Sequence, residues 1–302
     1  LMNFIPPFIA CGCACGVHLP LVLGLTVVII PNLDPAKLGS LIWKYKPEHM
    51  FGVPAHYQQM AADSKLKDKD LSFIRNYAAG GDAISIGAEK TVNEFLAAHN
   101  VEYPMAKGYG MTEVSPKIST ADFGDECKDS SGKILRSIGD VRIVDGEIQV
   151  KGSSVMMGYY KKPEETAKVF TEDGYLKTGD LGKITSSDHI YVTGRLKNLI
   201  ILSNGENVSP EMLENKFADE KVVKEIVVYG DKDRIVAEIF PDSEYAYAAG
   251  VSDIKNYLES KAEQLNESEP EERRIAEIRL RDKPFEKTTT GKIKRTAVKI
   301  EY

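Results

Sequence analysis

Up to about residue 115, short apolar runs alternate with stretches whose apolar positions recur at helical spacing. The segment from Leu19 reads as a helix end followed by a buried strand, VVII, closed by Pro31. Pro35 to Tyr45 predicts a helix, with Leu38, Leu41 and Ile42 on one face. Met50–Pro54 predicts a short buried strand. Leu71–Ala79 runs into a double glycine, Gly87–His99 predicts a helix, and Val101–Ala106 is short and extended. Strands alternating with helices imply a parallel sheet covered on both faces, hence an α/β fold.

The rhythm then changes. From Lys133 to Val192 come short strand-like runs, SIGDVRIV, GEIQVKG and HIYVTG, separated by turn pairs such as Asp145-Gly146 and Asp173-Gly174. That pattern predicts a small antiparallel barrel or sheet. From Asn198 onward the chain reads as a compact α+β module. LIIL followed by Ser203-Asn204-Gly205 predicts a hairpin, and Ser209-Pro210 a helix start with serine as the cap. EIVVYG and RIVAEIF predict two strands, and Ser252–Glu267 a helix with one polar face. The charged run 267–274 reads as a turn or a solvated face. Three parts follow: 1–115, 116–196 and 197–302.

The chain has 302 residues, 42% of them hydrophobic, enough for a sizeable core and more than one domain. The net charge of −6 is scattered along the chain and leaves no electrostatic footprint for DNA or RNA. The longest apolar stretch, Leu19–Pro31, is short of the ~20 residues a membrane span needs. A chain that opens on LMNFIPPF, already apolar and strand-like, reads as a piece of a longer protein. Four cysteines occur, three of them in CGCAC (Cys11, Cys13, Cys15), the fourth at Cys127. A metal site would want a second pair or a histidine cluster, and only His18 stands near, so the thiols read as small packing residues. Free thiols and the lack of a secretory signal or peroxisomal ending fit a cytoplasmic location.

Four loops carry candidate chemistry. In GYGMTEVSP (108–116), glycines allow close backbone approach, Tyr109 offers a face for a base, Thr112 a hydroxyl and Glu113 a hard oxygen for Mg²⁺. Alone, it reads equally as a glycine-rich loop with a solvated Thr-Glu. In YLKTGDLG (175–182), Asp180 can accept hydrogen bonds from two vicinal sugar hydroxyls, although Gly-Asp is also a common turn pair. Arg195 in GRLKNLI can contact a ribose or phosphate, or stand exposed beside a linker. In KTTTGKIKR (287–295), Lys292 follows a Thr-Gly loop and can swing toward negative charge, or belong to an exposed basic tail. It is not a phosphate loop of the GxxxxGK[ST] kind, because Ile293 follows the lysine.

In their order and separation these elements resemble the adenylate-forming superfamily, the AMP-forming acyl-CoA synthetases above all. The resemblance rests on GGDAIS (80–85), GYGMTE (108–113), the stretch from GEIQVKG to MMGYYKKPEET (146–166), YLKTGD (175–180), GRLKN with NGENVSPEMLE (194–214) and KTTTGK (287–292), and so covers essentially the whole chain. It implies a large α/β domain with a small β-barrel, followed by a small mobile α+β domain. It implies ATP, Mg²⁺ and coenzyme A, and a carboxylic acid activated as its adenylate. Gly80, Gly81 and Asp82 would border adenine, and Tyr109 would stack on it. Thr112 would contact the α-phosphate, Glu113 would hold Mg²⁺, and Asp180 with Arg195 would grip the ribose. Lys292 would bridge the acid and the α-phosphate. Lys197 would be the hinge, and Gly205, Glu206 and Asn207 would line the coenzyme A tunnel. Phe8, Ile9, Gly12, Gly110 and Met111 would line the acyl pocket, with Ile9 where many members carry histidine. The family's Thr/Ser/Gly-rich phosphate loop lies upstream of the stretch represented here, which implies weak ATP binding and impaired turnover for this piece alone. A truncated AMP-binding module, a carrier-protein-loading domain and a luciferase-like enzyme are the alternatives.

Overall fold

The computed structural model describes residues 1–30, 33–81, 84, 86–122, 130–288, 293–295 and 298. The chain divides into two compact units, Leu1–Val192 and Thr193–Tyr302.

The first unit is built on a six-stranded sheet in sequential order: β1 (Met2–Asn3), β2 (His49–Gly52), β3 (Asn76–Ala79), β4 (Ala106–Tyr109), β5 (Ser119–Thr120) and β6 (Lys133–Ile134). β1 to β4 run parallel and β4 to β6 antiparallel. Parallel neighbours need crossover connections, and helices Leu38–Tyr45, Pro54–Ala62 and Ile86–Ala98 lie in them. Their apolar faces and the strands bury Met2, Ile42, Met50, Met60, Leu71, Val92 and Leu96 in one core. Tyr57, fully buried there, donates from its hydroxyl to the carbonyls of Met50 (3.2 Å) and Ala78 (2.9 Å), so its polar tip is satisfied inside the core.

The VVII segment is not a buried strand. A single parallel bridge, Val28 to Met2, joins it to the edge of β1, and Ile29 is 81% exposed. Residues 10–22 form one helical stretch, α-helical at both ends and π-helical over Ala14–His18.

A four-stranded antiparallel sheet follows, in the order β10 (Ile190–Arg195), β9 (Leu176–Ile184), β8 (Glu147–Gly152), β7 (Gly139–Val144). Asp145 (φ 51°) and Gly146 (φ 80°) both take left-handed conformations between β7 and β8. That is the geometry of the two-residue turn whose twist matches an antiparallel pair. Val141, Ile148, Val150, Leu176 and Ile190 form this part's core, with Val114, Ile118 and Ile134 from the preceding segment.

In the second unit, β11 (Ile200–Ile201) pairs with β12 (Asn207–Val208) as the expected hairpin, with Gly205 at φ 80°. β13 (Val223–Asp231) and β14 (Arg234–Pro241) are antiparallel, and β15 (Ile275–Leu280) joins β14 in parallel. One face of this sheet buries Val228, Ile235, Ala237 and Ile239 with Leu258 and Ala262 of helix Ile254–Asn266. The alternate residues Val227, Tyr229 and Val236 pack with Phe285 and Val298 on the other face. Asp253 caps the helix Ile254–Asn266 by accepting from the Asn256 amide at 3.0 Å. Ser209, expected to cap Pro210–Lys216, makes no cap bond; its hydroxyl donates instead to the Thr193 carbonyl (2.8 Å) and to Glu211 (3.0 Å).

Candidate functional site

Parallel sheets bind ligands beyond the carboxyl ends of their strands, where loops diverge. Gly80 and Gly81 follow β3, and Gly110–Glu113 follow β4, at that same edge. A Cβ on Gly80 would stand 3.9 Å from the Gly108 carbonyl, and Gly81 has φ 81°, so the first loop turns sharply beside the second.

Tyr109 ends β4 with its ring against the apolar cluster of the smaller sheet. Its hydroxyl donates to Asp180 Oδ2 at 2.7 Å. The two residues are 71 positions apart and come from separate motifs. Asp180 is only 2% exposed. Its placement comes from a bulge in β9: Glu147 pairs with Leu181 and Gln149 with Lys177, so Ile148 alone faces Thr178, Gly179 and Asp180. Gly179 takes φ 70° and donates its amide to Glu147 Oε1 at 2.9 Å. Thr178, also buried, donates its hydroxyl to the Ile148 carbonyl (2.7 Å) and accepts from the Asp180 amide (3.1 Å). The Gly-Asp pair is therefore part of a bulged strand and not a surface turn.

Glu113 sits in the 3₁₀ turn Thr112–Val114. Its carbonyl accepts from the Met156 amide (2.8 Å), and its carboxylate accepts from the Tyr159 hydroxyl (3.0 Å). Burial, and then this bond to a carboxylate, raise the Tyr159 phenol above its ordinary pKa. Tyr159 also lines a shallow cleft of about 550 Å³ with Met157, Lys161, Lys162 and Phe170. Thr112 is exposed beside Glu113. No three His, Cys, Asp or Glu side chains converge as a metal cage among the described residues. A Mg²⁺ ion at Glu113 would therefore draw its remaining ligands from phosphate oxygens and water, which is how that ion is commonly held.

Of the expected acyl-pocket residues, Phe8 is exposed and Ile9 half-buried at the start of the helical stretch 10–22. Gly12 and Gly110 are close-approach positions: an added Cβ would lie 2.0 Å from the Pro6 carbonyl oxygen and 1.8 Å from that of Pro116, respectively. Met111 packs against the smaller sheet's core. Cys11 and Cys15 bring their sulfurs within 3.9 Å on one face of the helical stretch. The hydrogen bond from the Cys11 thiol lowers Cys15 to about 7, with Lys117 acting in the same direction; Cys11 itself is raised.

In the second unit, Arg195 ends β10 and is exposed, and Lys197 is exposed in the turn Leu196–Asn198. The next residue, Asn198, donates to Glu211 Oε1 at 2.5 Å. Gly205 and Asn207 belong to the β11–β12 hairpin. Glu206, between them, accepts from Arg273 Nε at 2.7 Å, which gives the charged run 267–274 a partner that its sequence does not announce. Asp82, Lys292 and Cys127 lie outside the described residues.

Sequence reading missed Tyr159, Thr178 and Glu147. All three lie within the stretches 146–166 and 175–180 that carry the resemblance, but only the fold shows which side chains reach Glu113 and the bulge.

The family model described as AMP-binding enzyme matches residues 1–160, and that of the AMP-binding enzyme C-terminal domain matches 197–302. A long-chain-fatty-acid–CoA ligase of Bacillus subtilis is 31% identical over 247 residues, 77% of this chain and 42% of that protein. A feruloyl-CoA synthase of Amycolatopsis is 32% identical over 238 residues, 74% of this chain and 46% of that protein. This chain thus spans less than half the length of these relatives. Among solved structures, an anthranilate CoA ligase in complex with anthranoyl-AMP superposes with a TM-score of 0.81 at 20% identity, over 97% of this chain and 56% of that one. The O-succinylbenzoate coenzyme A synthetase of Bacillus subtilis, in complex with ATP and magnesium ion, gives 0.80 at 23%, over 98% and 60%. At these identities the likeness establishes the fold: an N-terminal α/β domain with a small C-terminal domain.

Proposed function

We infer the chemistry from kinship: this chain belongs to the family of AMP-binding enzymes. Its relatives include acyl-CoA ligases and other adenylating enzymes. The parent activity proposed is acid–thiol ligation in two steps. The carboxylate of a small-molecule acid attacks the α-phosphorus of ATP, releasing pyrophosphate and forming an acyl-adenylate. The thiol of coenzyme A then attacks the acyl carbon, and AMP leaves.

The observation that carries this reading is the bond between Tyr109 and Asp180. A flat aromatic face and a buried carboxylate, drawn from two distant motifs, stand side by side. Together they suit a nucleoside, the ring stacking on adenine and the carboxylate accepting from the ribose hydroxyls. Gly80 and Gly81 would let the base approach. Thr112 and Glu113 would face the α-phosphate, with Glu113 the carboxylate for Mg²⁺, an ion that offsets charge as two anions meet. Lys292 is assigned to the adenylation step, where a lysine neutralises charge growing on phosphorus and the acid. Lys197 is proposed as the hinge about which residues 197–302 turn between the steps, bringing Gly205, Glu206 and Asn207 to the site; Arg195 would assist Asp180 at the ribose. Phe8, Ile9, Gly12, Gly110 and Met111 are assigned to the acid's side.

A second reading concerns the chain by itself. It spans less than half of its relatives, and its sequence holds no Ser/Thr/Gly-rich phosphate loop with a following Lys-Ser or Lys-Thr. As an isolated chain it is proposed to hold AMP and to turn over poorly.

Pyrophosphate release is the test, with a panel of aliphatic and aromatic acids, with and without coenzyme A. It is run on this chain and on the protein carrying any upstream sequence. Asp180→Ala and Lys292→Ala should each abolish release in the active form, and coenzyme A should accelerate product formation. Activity that survives both substitutions overturns these assignments.

A further inference from the structure

Cys11, Cys13 and Cys15 play no part in the proposed reaction, yet the fold sorts them. Alternation along the sequence leaves all three equivalent. In the helical stretch 10–22, Cys11 and Cys15 lie one turn apart on one face, while Cys13 points elsewhere and is exposed. The Cys11 and Cys15 sulfurs stand 3.9 Å apart and neither is in a disulfide.

That separation discriminates between two kinds of chemistry. A disulfide needs sulfurs about 2.04 Å apart and Cβ atoms about 3.8 Å apart. Side chains four apart on a helix hold their Cβ atoms about 5–6 Å apart, so closing the bond would break the helical turn. A cation bound by thiolates at about 2.3 Å asks for something else. With bonds of that length, 3.9 Å between sulfurs corresponds to an S–metal–S angle of about 116°, between the tetrahedral and the trigonal value. The helix already holds the pair at chelating distance. Ligands four apart on one helical face are also a recurring metal-binding spacing.

We propose that Cys11 and Cys15 form a bidentate dithiolate site for a thiophilic d¹⁰ dication. Two thiolates balance the charge of the dication, and soft sulfur donors select such ions over Mg²⁺ or Ca²⁺. Water or a small anion completes the coordination. Binding forms two metal–sulfur bonds and releases the protons still carried by the two thiols to solvent. The Lys117 ammonium, the cationic group near the pair, donates to Thr120 Oγ1 at 3.2 Å and is occupied on that side.

The probe is Cd²⁺ added to the reduced chain, followed by the ultraviolet sulfur-to-cadmium charge-transfer band. One equivalent should saturate the band. Cys13→Ser should leave it unchanged, whereas Cys11→Ser and Cys15→Ser should each weaken binding by about 100-fold or more, the advantage of a second donor on one rigid element. Peptide mapping after maleimide labelling of the unaltered chain gives a reading independent of any variant's folding. Cys15 is 7% exposed and labels slowly with or without the ion, so the comparison is between half-buried Cys11, which Cd²⁺ should protect, and exposed Cys13, which should stay reactive. Equal protection of Cys11 and Cys13, no saturable band, or complete Cys11–Cys15 disulfide formation in air without loss of helix would overturn the proposal.

Discussion

The Tyr109 hydroxyl donates to Asp180 Oδ2 at 2.7 Å, tying the end of a parallel strand to a bulge in the neighbouring antiparallel sheet. A bond to a carboxylate that is 2% exposed is worth more than its counterpart at the surface, because the carboxylate has left water. Tyr109→Phe removes the donor and little else. The first unit should lose about 1.5–3 kcal/mol, the usual range for a hydrogen bond to a charged group. Trp43, the chain's single tryptophan, lies in that unit and reports its urea unfolding by fluorescence. In a double-mutant cycle with Asp180→Asn the two losses should fall short of additive. Full additivity would mean that the pair contributes no coupling.

The bulge that aims Asp180 depends on Thr178, whose hydroxyl both donates to Ile148 and accepts from the Asp180 amide. Valine has nearly the same shape without the hydroxyl. Thr178→Val should therefore cost about 1–3 kcal/mol for the two partners left unpaired in a buried strand. It should also weaken AMP binding, because the carboxylate loses its fixed direction. An AMP affinity unchanged within twofold by calorimetry would separate Asp180 from the nucleotide.

How much of this was legible in the residues depends on what each feature required. Helices such as Ile86–Ala98 follow from periodicity, the apolar runs EIVVYG and RIVAEIF announce β13 and β14, and Asp145-Gly146 announces its own turn. VVII has the composition of a buried strand, but whether a strand is central or marginal depends on neighbours that its own residues do not encode. Ser209 has the identity of a cap, and the nearby Thr193 carbonyl and Glu211 compete for its hydroxyl. Tyr109, Glu113 and Asp180 are legible in the sequence as chemistry-bearing residues. That Tyr109 touches Asp180, and that Glu113 instead reaches Tyr159, are facts of tertiary structure. The pairing of Arg273 with Glu206 spans 67 residues and leaves no local signature.

Gly110 answers to backbone packing. A Cβ there would sit 1.8 Å from the Pro116 carbonyl oxygen and 2.8 Å from the Lys117 Cα, both main-chain atoms that no side-chain rotation can clear. Gly110→Ala should therefore displace the loop bearing Thr112 and Glu113. The expected cost is at least 1–3 kcal/mol, as for other overpacked sites, with weaker protection of residues 108–116 in hydrogen exchange. Gly179→Ala makes a useful contrast. Nothing lies within 4 Å of its added Cβ, and only the φ of 70° opposes it, at about 1–2 kcal/mol. If Gly110→Ala were the milder of the two, the close approach at Pro116 would not be a constraint in solution.

Glu214 sets a pH dependence in the second unit. Its carboxylate accepts from the Val228 amide at 2.7 Å and pairs with Arg295, yet burial outweighs both partners and raises it from 4.5 to about 7. Between those values the folded chain holds a proton that the unfolded chain has released. The contribution is therefore fully present below about pH 4.5 and is lost as pH rises through about 7, a change on the order of 3 kcal/mol. Glu214→Gln cannot titrate and lacks this slope. The stability of the unaltered chain relative to Glu214→Gln should increase as pH falls from 8 to 5. Global hydrogen exchange of peptides from β13 and β14, corrected for intrinsic rates, reads that difference unit by unit. A gap that stays constant across the range, or that widens toward pH 8, would show that Arg295 and the Val228 amide hold Glu214 ionised despite its burial.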